Sequence, residues 1–252
     1  MKKVLYVLFA ATLLVSTLVS ASAGNDDYIE AEGIVYPEGQ SLNAMRRIAR
    51  MDAYRYLAEE VDNLYVTSVS TVRNMRDLYD QINARVEALL RGIRPISETR
   101  ERDGSFHAIV RLPLYGANQS LASAVLDENV VVEDFPKPKF TNLRSEITYT
   151  GLVVDCRGKN LSTAITPTIK SVGGTEIYAY RNVGYQNAVE RGMVEYSANL
   201  NSARAGNSPL VVTAVSISGA CDVIVSDEDA DKILAANQSS NILANCAVVF
   251  VR

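Results

Sequence analysis

Apolar and polar residues alternate with period two over 28–35 (YIEAEGIV), which predicts a strand, and Pro37 and Gly39 then turn the chain. From Ser41 the period lengthens to that of a helix. Leu42, Met45, Ala49, Ala53, Tyr56 and Leu57 fall on one stripe, with Arg47, Arg50, Arg55 and Glu59 off it. The β-branched run 64–72 predicts a second strand, and Leu78, Ile82, Val86 and Leu89 mark a second helix that Gly92 ends. Segments 93–101 and 105–114 predict a hairpin about Asp103-Gly104, because a tight primed turn needs positive φ at its centre. Phe106, Ala108, Val110, Leu112 and Leu114 then face inward, which turns His107, Ile109 and Arg111 to the opposite face. A short helix over 120–126 closes this half.

Beyond it, 127–146 carries Pro136 and Pro138 among alternating lysines, a pattern that breaks regular structure and favours extended, solvated backbone. The second half opens with a buried-looking strand over 147–154 that ends at Asp155. Gly173-Gly174 turns the chain before a strand over 175–180, a helix is expected over 186–200, and 210–217 is another apolar strand. Ser226 caps a helix with an acidic first turn, and 246–251 supplies the last strand. The fold class expected is α+β: an N-terminal β-α-β-α-β-β domain over 28–126, a linker over 127–146, and a mixed α/β C-terminal domain over 147–252.

The first residues stand apart from these patterns. Lys2 and Lys3 precede an apolar run that gives way to Ser20-Ala21-Ser22-Ala23, the layout of a secretory signal over 1–23 cut after Ala23. An uncleaved anchor ranks second, because the run is shorter than the roughly 20 apolar residues a membrane span requires. A periplasmic or otherwise exported location is expected, with no transmembrane anchor after cleavage. In such an oxidising compartment Cys156, Cys221 and Cys246 allow one intramolecular bridge and three pairings. Cys246 opens an apolar run, whereas Cys156 and Cys221 each sit where a strand meets polar or Gly-containing sequence. A Cys156–Cys221 bridge is therefore favoured over three reduced thiols.

Charge and composition narrow the chemistry. A net charge of −4 argues against a nucleic-acid partner, whose footprint would be a basic face, and a single histidine excludes any site that needs a His pair. The nucleophile elbow, the dinucleotide fingerprint and the phosphate loop are all missing, so no cofactor is expected. Asp227, Glu228, Asp229 and Asp231 form an acidic cluster, but a calcium loop starting at Asp227 would need Gly and Glu where Lys232 and Gln238 stand. Capping by Ser226 accounts for the same residues. Asp155 at a strand's carboxyl end, with Arg157 behind it, occupies the kind of place where α/β proteins hold ligands. His107 shows no identifiable partner.

Two stretches carry a resemblance. Ala31-x-Gly33 on a strand, the helix with Ala49, Asp52, Ala53 and Leu57, the run 66–72, and the Asp103-Gly104 hairpin ending Val110-x-Leu112-Pro113-Leu114 resemble the lipoprotein-20 family. That family is similar to the N-terminal domain of flagellar assembly protein T, part of a periplasmic ring around the flagellar motor. The segments 150–158, 191–193, 207–212 and 229–230 resemble exported proteins of diderm bacteria that carry such a first domain. The chain lacks the lipid-bearing Cys of the lipoproteins, and the resemblance supplies no catalytic residue. Because the informative residues are spent on strands, amphipathic stripes and turns and no site chemistry converges, a non-enzymatic envelope protein that binds a protein partner or itself is expected. The resemblance adds an expected association with flagellar or outer-envelope assemblies. The alternative is a periplasmic ligand-binding protein or hydrolase using Asp155 and Arg157.

Overall fold

The computed structural model describes residues 28–139 and 148–252. The signal segment 1–23, its cut at Ala23, and the end of the linker lie outside the described residues. Strand β1 (Tyr28–Val35) leads into helix α1 (Leu42–Asn63), which Ser41 caps by accepting the Ala44 amide at 3.3 Å. Every fourth residue of α1 is buried: Met45, Ala49, Ala53, Leu57 and Val61. Leu42, expected on this stripe, stays 42% exposed. The stripe lies on a three-stranded antiparallel sheet in the order β1-β5-β4, with β4 at Pro95–Arg100 and β5 at Phe106–Pro113. The hairpin falls where expected, but its turn is not a primed one. The Gly104 amide donates to the Glu101 carbonyl at 3.0 Å, so Arg102 and Asp103 are the central residues; Asp103 does not have positive φ, and only the following Gly104 does, at 88°. Ala31, Gly33 and Val35 face Val110, Ala108 and Phe106 under the helix. Gly33 is required there, because a Cβ would lie 2.7 Å from the Ala53 nitrogen and collide with the Ala49 carbonyl.

The strand expected over 64–72 is instead a small hairpin, β2 (Tyr65–Thr67) and β3 (Ser70–Thr71), apart from the main sheet. Local side chains override the β-branched propensity. Thr71 and Asn74 form a reciprocal capping box that starts helix α2 (Val72–Leu78) where the strand should have continued. A break at Tyr79 separates α2 from α3 (Asp80–Gly92), the helix expected to end at Gly92. The free edge of β2 pairs with the second half. The Ile165 amide donates to the Tyr65 carbonyl at 3.0 Å, and both the Thr166 amide and hydroxyl donate to the Val66 carbonyl, at 2.9 and 2.6 Å. Helix α4 (Leu121–Val125), capped by Ser120, closes the N-terminal half. The stretch after it is without regular structure and mostly exposed, as expected, but it is tied to the second half: Tyr180 donates to the Asp127 carbonyl at 2.6 Å, and the Glu133 amide to the Arg181 carbonyl at 2.9 Å.

The second half contains a parallel four-stranded sheet in the order β10-β6-β13-β9: Leu210–Thr213, Leu152–Asp155, Val248–Val251 and Glu195–Ser197. Beside it lies a mixed sheet in the order β11-β12-β7-β8: Ser216–Ser218, Asp222–Val225, Ile169–Ser171 and Glu176–Tyr178. The apolar run 210–217 is thus shared between two sheets. After β10 the Ala214 amide still donates to the Asp155 carbonyl, but that of Val215 donates to Ile224 of the other sheet. Short helices α5 (Tyr180–Val183) and α6 (Tyr185–Arg191) precede β9. The long helix expected over 186–200 stops at Arg191, because Gly192 turns with φ of 71° against the Tyr115 ring, 2.7 Å from where a Cβ would sit. Ser226 caps α7 (Asp227–Ser240) as expected, accepting the Asp229 amide at 3.0 Å. Cys246 is not on the last strand; it precedes β13 with φ of 54°.

The architecture is α+β. Leu57, Val86 and Leu112 from the first half and Leu152, Ile169 and Phe250 from the second belong to one contiguous apolar cluster. Among the described residues, no helix is long and apolar enough to cross a membrane.

Candidate functional site

In the parallel sheet Thr213, Asp155 and Val251 lie side by side at the carboxyl ends of β10, β6 and β13. Asp155 and Arg157 do meet there, but they consume each other. Asp155 Oδ1 accepts the Arg157 amide at 3.1 Å and Nε at 2.9 Å, and Oδ2 accepts Nη2 at 2.6 Å. The guanidinium, with help from the amide, pulls the Asp155 carboxyl down to about 2. A carboxylate so acidic and so fully hydrogen-bonded is a poor base, and the bidentate pair closes the turn after β6.

The Cys156–Cys221 bridge is not formed: all three cysteines are free and buried. Cys156 follows β6 of the parallel sheet, and its thiol turns back toward the Val154 carbonyl at 3.7 Å. Cys221 lies between β11 and β12 of the other sheet, and both residues belong to the main apolar cluster as free thiols. Burial pushes both thiols up to about 12, which leaves no thiolate for nucleophilic chemistry.

His107 has the partners that its sequence context did not reveal. Its Nδ1 lies 2.6 Å from Glu32 Oε1 and its Nε2 2.9 Å from the Ser105 hydroxyl, which superficially matches a nucleophilic triad. The proton inventory runs the other way. Asp103 Oδ1 accepts both the Ser105 amide at 2.9 Å and its hydroxyl at 2.6 Å, and these bonds hold the Asp103 carboxyl below its ordinary range. An ionised carboxylate only accepts, so the hydroxyl proton points at Asp103 and Nε2 must donate to the serine oxygen. Ser105 is also fully buried. The group braces the hairpin turn against β1. Alternation on paired strands was the one signal in the sequence that could have found it, since Glu30 and Glu32 share the outer face with Arg111 and His107.

The acidic cluster is spent on structure. Besides the Ser226 cap, the Asp227 Oδ1 accepts the Gly173 amide at 3.1 Å, Lys232 pairs with Glu228 at 2.8 Å, and Asp231 accepts the Lys139 amide at 2.9 Å. Among the described residues no group of three His, Cys, Asp or Glu side chains is placed to hold a metal ion.

An open cleft of about 560 Å³ lies at the opposite, amino edge of the parallel sheet, lined by Arg191, Arg204, Asn245, Cys246 and Ala247. Arg191 ends α6, Arg204 comes from the loop before β10, and 245–247 lead into β13. The Arg204 Nη2 donates to the carbonyls of Arg191 and Gly192, the latter at 3.3 Å, and so ties down the end of α6. Arg191 Nη1 reaches the Asn245 carbonyl at 3.4 Å. Burial raises the Cys246 thiol, while a Tyr178 hydrogen bond and the two guanidiniums act against that rise. Sequence reasoning missed this cleft because its residues come from three separate segments and match no motif. No curated protein matches the chain. Residues 151–252, from just before β6 through β13, match the family model described as Treponema pallidum Tp0624, second domain, and the C-terminal half is similar to that domain.

Proposed function

We propose that this is an exported, non-enzymatic protein of the bacterial cell envelope that acts as a structural or protein-interaction module, binding a protein partner or a second copy of itself. One observation carries the reading: the side chains picked out as candidate chemistry are each closed by near neighbours or by burial. Asp155 is paired with Arg157, the Ser105 hydroxyl donates its hydrogen bond to Asp103, and the thiols are buried. An active site would leave at least one such group facing a substrate. The resemblance of the first half to the lipoprotein-20 family and to flagellar assembly protein T supports an association with flagellar or outer-envelope assemblies. A hydrolase built on Asp155 and Arg157 is disfavoured, because the Asp155 carboxylate would have to give up its bonds to the Arg157 amide and guanidinium before it could act on a substrate.

The test is cross-linking in intact cells followed by fractionation. The chain, cut after Ala23, is expected in an exported fraction and in discrete species larger than one copy. A monomer alone under every linker length, or a hydrolytic activity lost in a folded Asp155→Ala variant, overturns the proposal.

A further inference from the structure

The cleft at the amino edge of the parallel sheet has an electrostatic imbalance found at neither Asp155 nor His107. Arg111, Arg157 and Arg181 each have a carboxylate partner, at 2.6 Å in every case. The guanidiniums of Arg191 and Arg204 donate to backbone carbonyls instead. Two guanidiniums therefore border one concavity whose lining includes no carboxylate; Glu195, at the same end of the sheet, accepts the Ser202 hydroxyl at 2.8 Å instead. Arg204 is preorganised: one of its nitrogens is fixed on the end of α6, which leaves the other two and their protons for a ligand. Asn245, exposed on the rim, brings an amide-bearing residue to the same cleft, and its backbone carbonyl already holds Arg191.

We propose that Arg191, Arg204 and Asn245 form a binding site for a phosphoryl dianion, either free phosphate or the phosphate of a small monoester. Planar guanidinium forks match tetrahedral oxyanions through paired N–H···O bonds, and two of them balance two negative charges where a single carboxylate would balance one. The open mouth leaves room for the organic part of a monoester. The site faces away from the Asp155 edge and is independent of the interaction role proposed above.

The experiment is calorimetric titration of the exported chain with inorganic phosphate, with glycerol phosphate and with acetate, all at one ionic strength. Saturable phosphate binding is expected, with acetate far weaker. Arg191→Gln should weaken it by about tenfold, the effect of losing one charged hydrogen-bonding group, with an unchanged circular dichroism spectrum. Arg204 also anchors α6, so Asn245→Ala serves as the second variant and should weaken binding by a smaller factor. Glycerol phosphate bound as tightly as phosphate identifies a monoester site, and phosphate bound alone identifies a free-anion site. Absence of saturable phosphate binding, acetate bound equally well, or a folded Arg191→Gln protein with unaltered affinity each overturns the assignment.

Discussion

The antiparallel sheet of the first half and the parallel sheet of the second bury their strands in different ways. β1 and β5 bury one face beneath α1 and keep the other for solvent, where Glu30 pairs with Arg111 and Glu32 with His107. β6 and β13 are buried on both faces: Leu152, Val154 and Phe250 enter the main core, and Val153, Val249 and Val251 a smaller cluster with Ala205. A one-faced sheet can carry its charged residues along its length. A two-faced sheet can carry them only at its ends, which is why the Asp155–Arg157 pair and the arginine cleft sit at the two edges of the parallel sheet.

The largest expected effects come from a matched pair of glycines, one under each sheet's closest backbone contact. Gly33 lets β1 approach the backbone of α1, and Gly151 lets the start of β6 lie against Ala205 and Ala247, whose atoms would be 2.6 to 2.7 Å from a Cβ. Backbone atoms cannot swing aside as a side chain can, so Gly33→Ala and Gly151→Ala should each destabilise the chain by roughly 4 kcal/mol or more. Because the main cluster draws side chains from both halves, each substitution should lower one shared unfolding transition. Urea denaturation followed by tyrosine fluorescence and circular dichroism reads this directly. Two transitions, of which each variant moves only one, would mean that the halves unfold separately despite their common core.

A smaller effect sharpens the same point at the seam between them. Ser68, at the tip of the β2–β3 hairpin, donates to Asp222 Oδ2 at 3.0 Å, and Lys170 reaches the same oxygen at 2.7 Å. Asp222 is buried to 3% exposure, and among the described residues its other oxygen has no hydrogen-bond partner. Ser68→Ala leaves the buried carboxylate dependent on Lys170 and should destabilise the chain by about 1–2 kcal/mol. Hydrogen exchange should then rise at the Ile165 and Thr166 amides, which hold the hairpin to the second half. Unchanged exchange at both amides would show that the hairpin is held without this hydrogen bond.

What could be read from the sequence divides along the same line. The stripe of α1, the hairpin about Asp103-Gly104 and the Ser226 cap each depend on residues within a few positions, and the structure contains all three. The strand expected over 64–72 failed because a cap formed by Thr71 and Asn74 outweighed the propensity of the run. The helix expected over 186–200 failed because Gly192 meets a ring, Tyr115, that lies far away in sequence. Periodicity on facing strands would have paired Glu32 with His107, had the β1–β5 register been inferred. The arginine cleft had no such signal, since Arg191, Arg204 and Asn245 meet only after the parallel order is set by buried strands.

The smallest effect concerns the carboxyl edge. Asp155 titrates near 2 in the folded chain against an ordinary value of 3.8, chiefly through the Arg157 side chain and next through its amide. A carboxyl depressed on folding stabilises the folded state above pH 3.8, and that contribution is lost as pH falls from 3.8 to about 2. Arg157 is more than half exposed, so solvent screens the pair and the change in overall stability should be slight. The titration itself is the sensitive readout. In Arg157→Gln the Asp155 carboxyl, followed by carbon NMR, should move up toward 3.8 while the fold and any phosphate affinity stay as they were. If the carboxyl remains near 2, the backbone amide alone holds it and the ion pair is incidental. If phosphate affinity falls with it, the two edges of the parallel sheet are coupled, and their division into a closed pair and an open cleft is wrong.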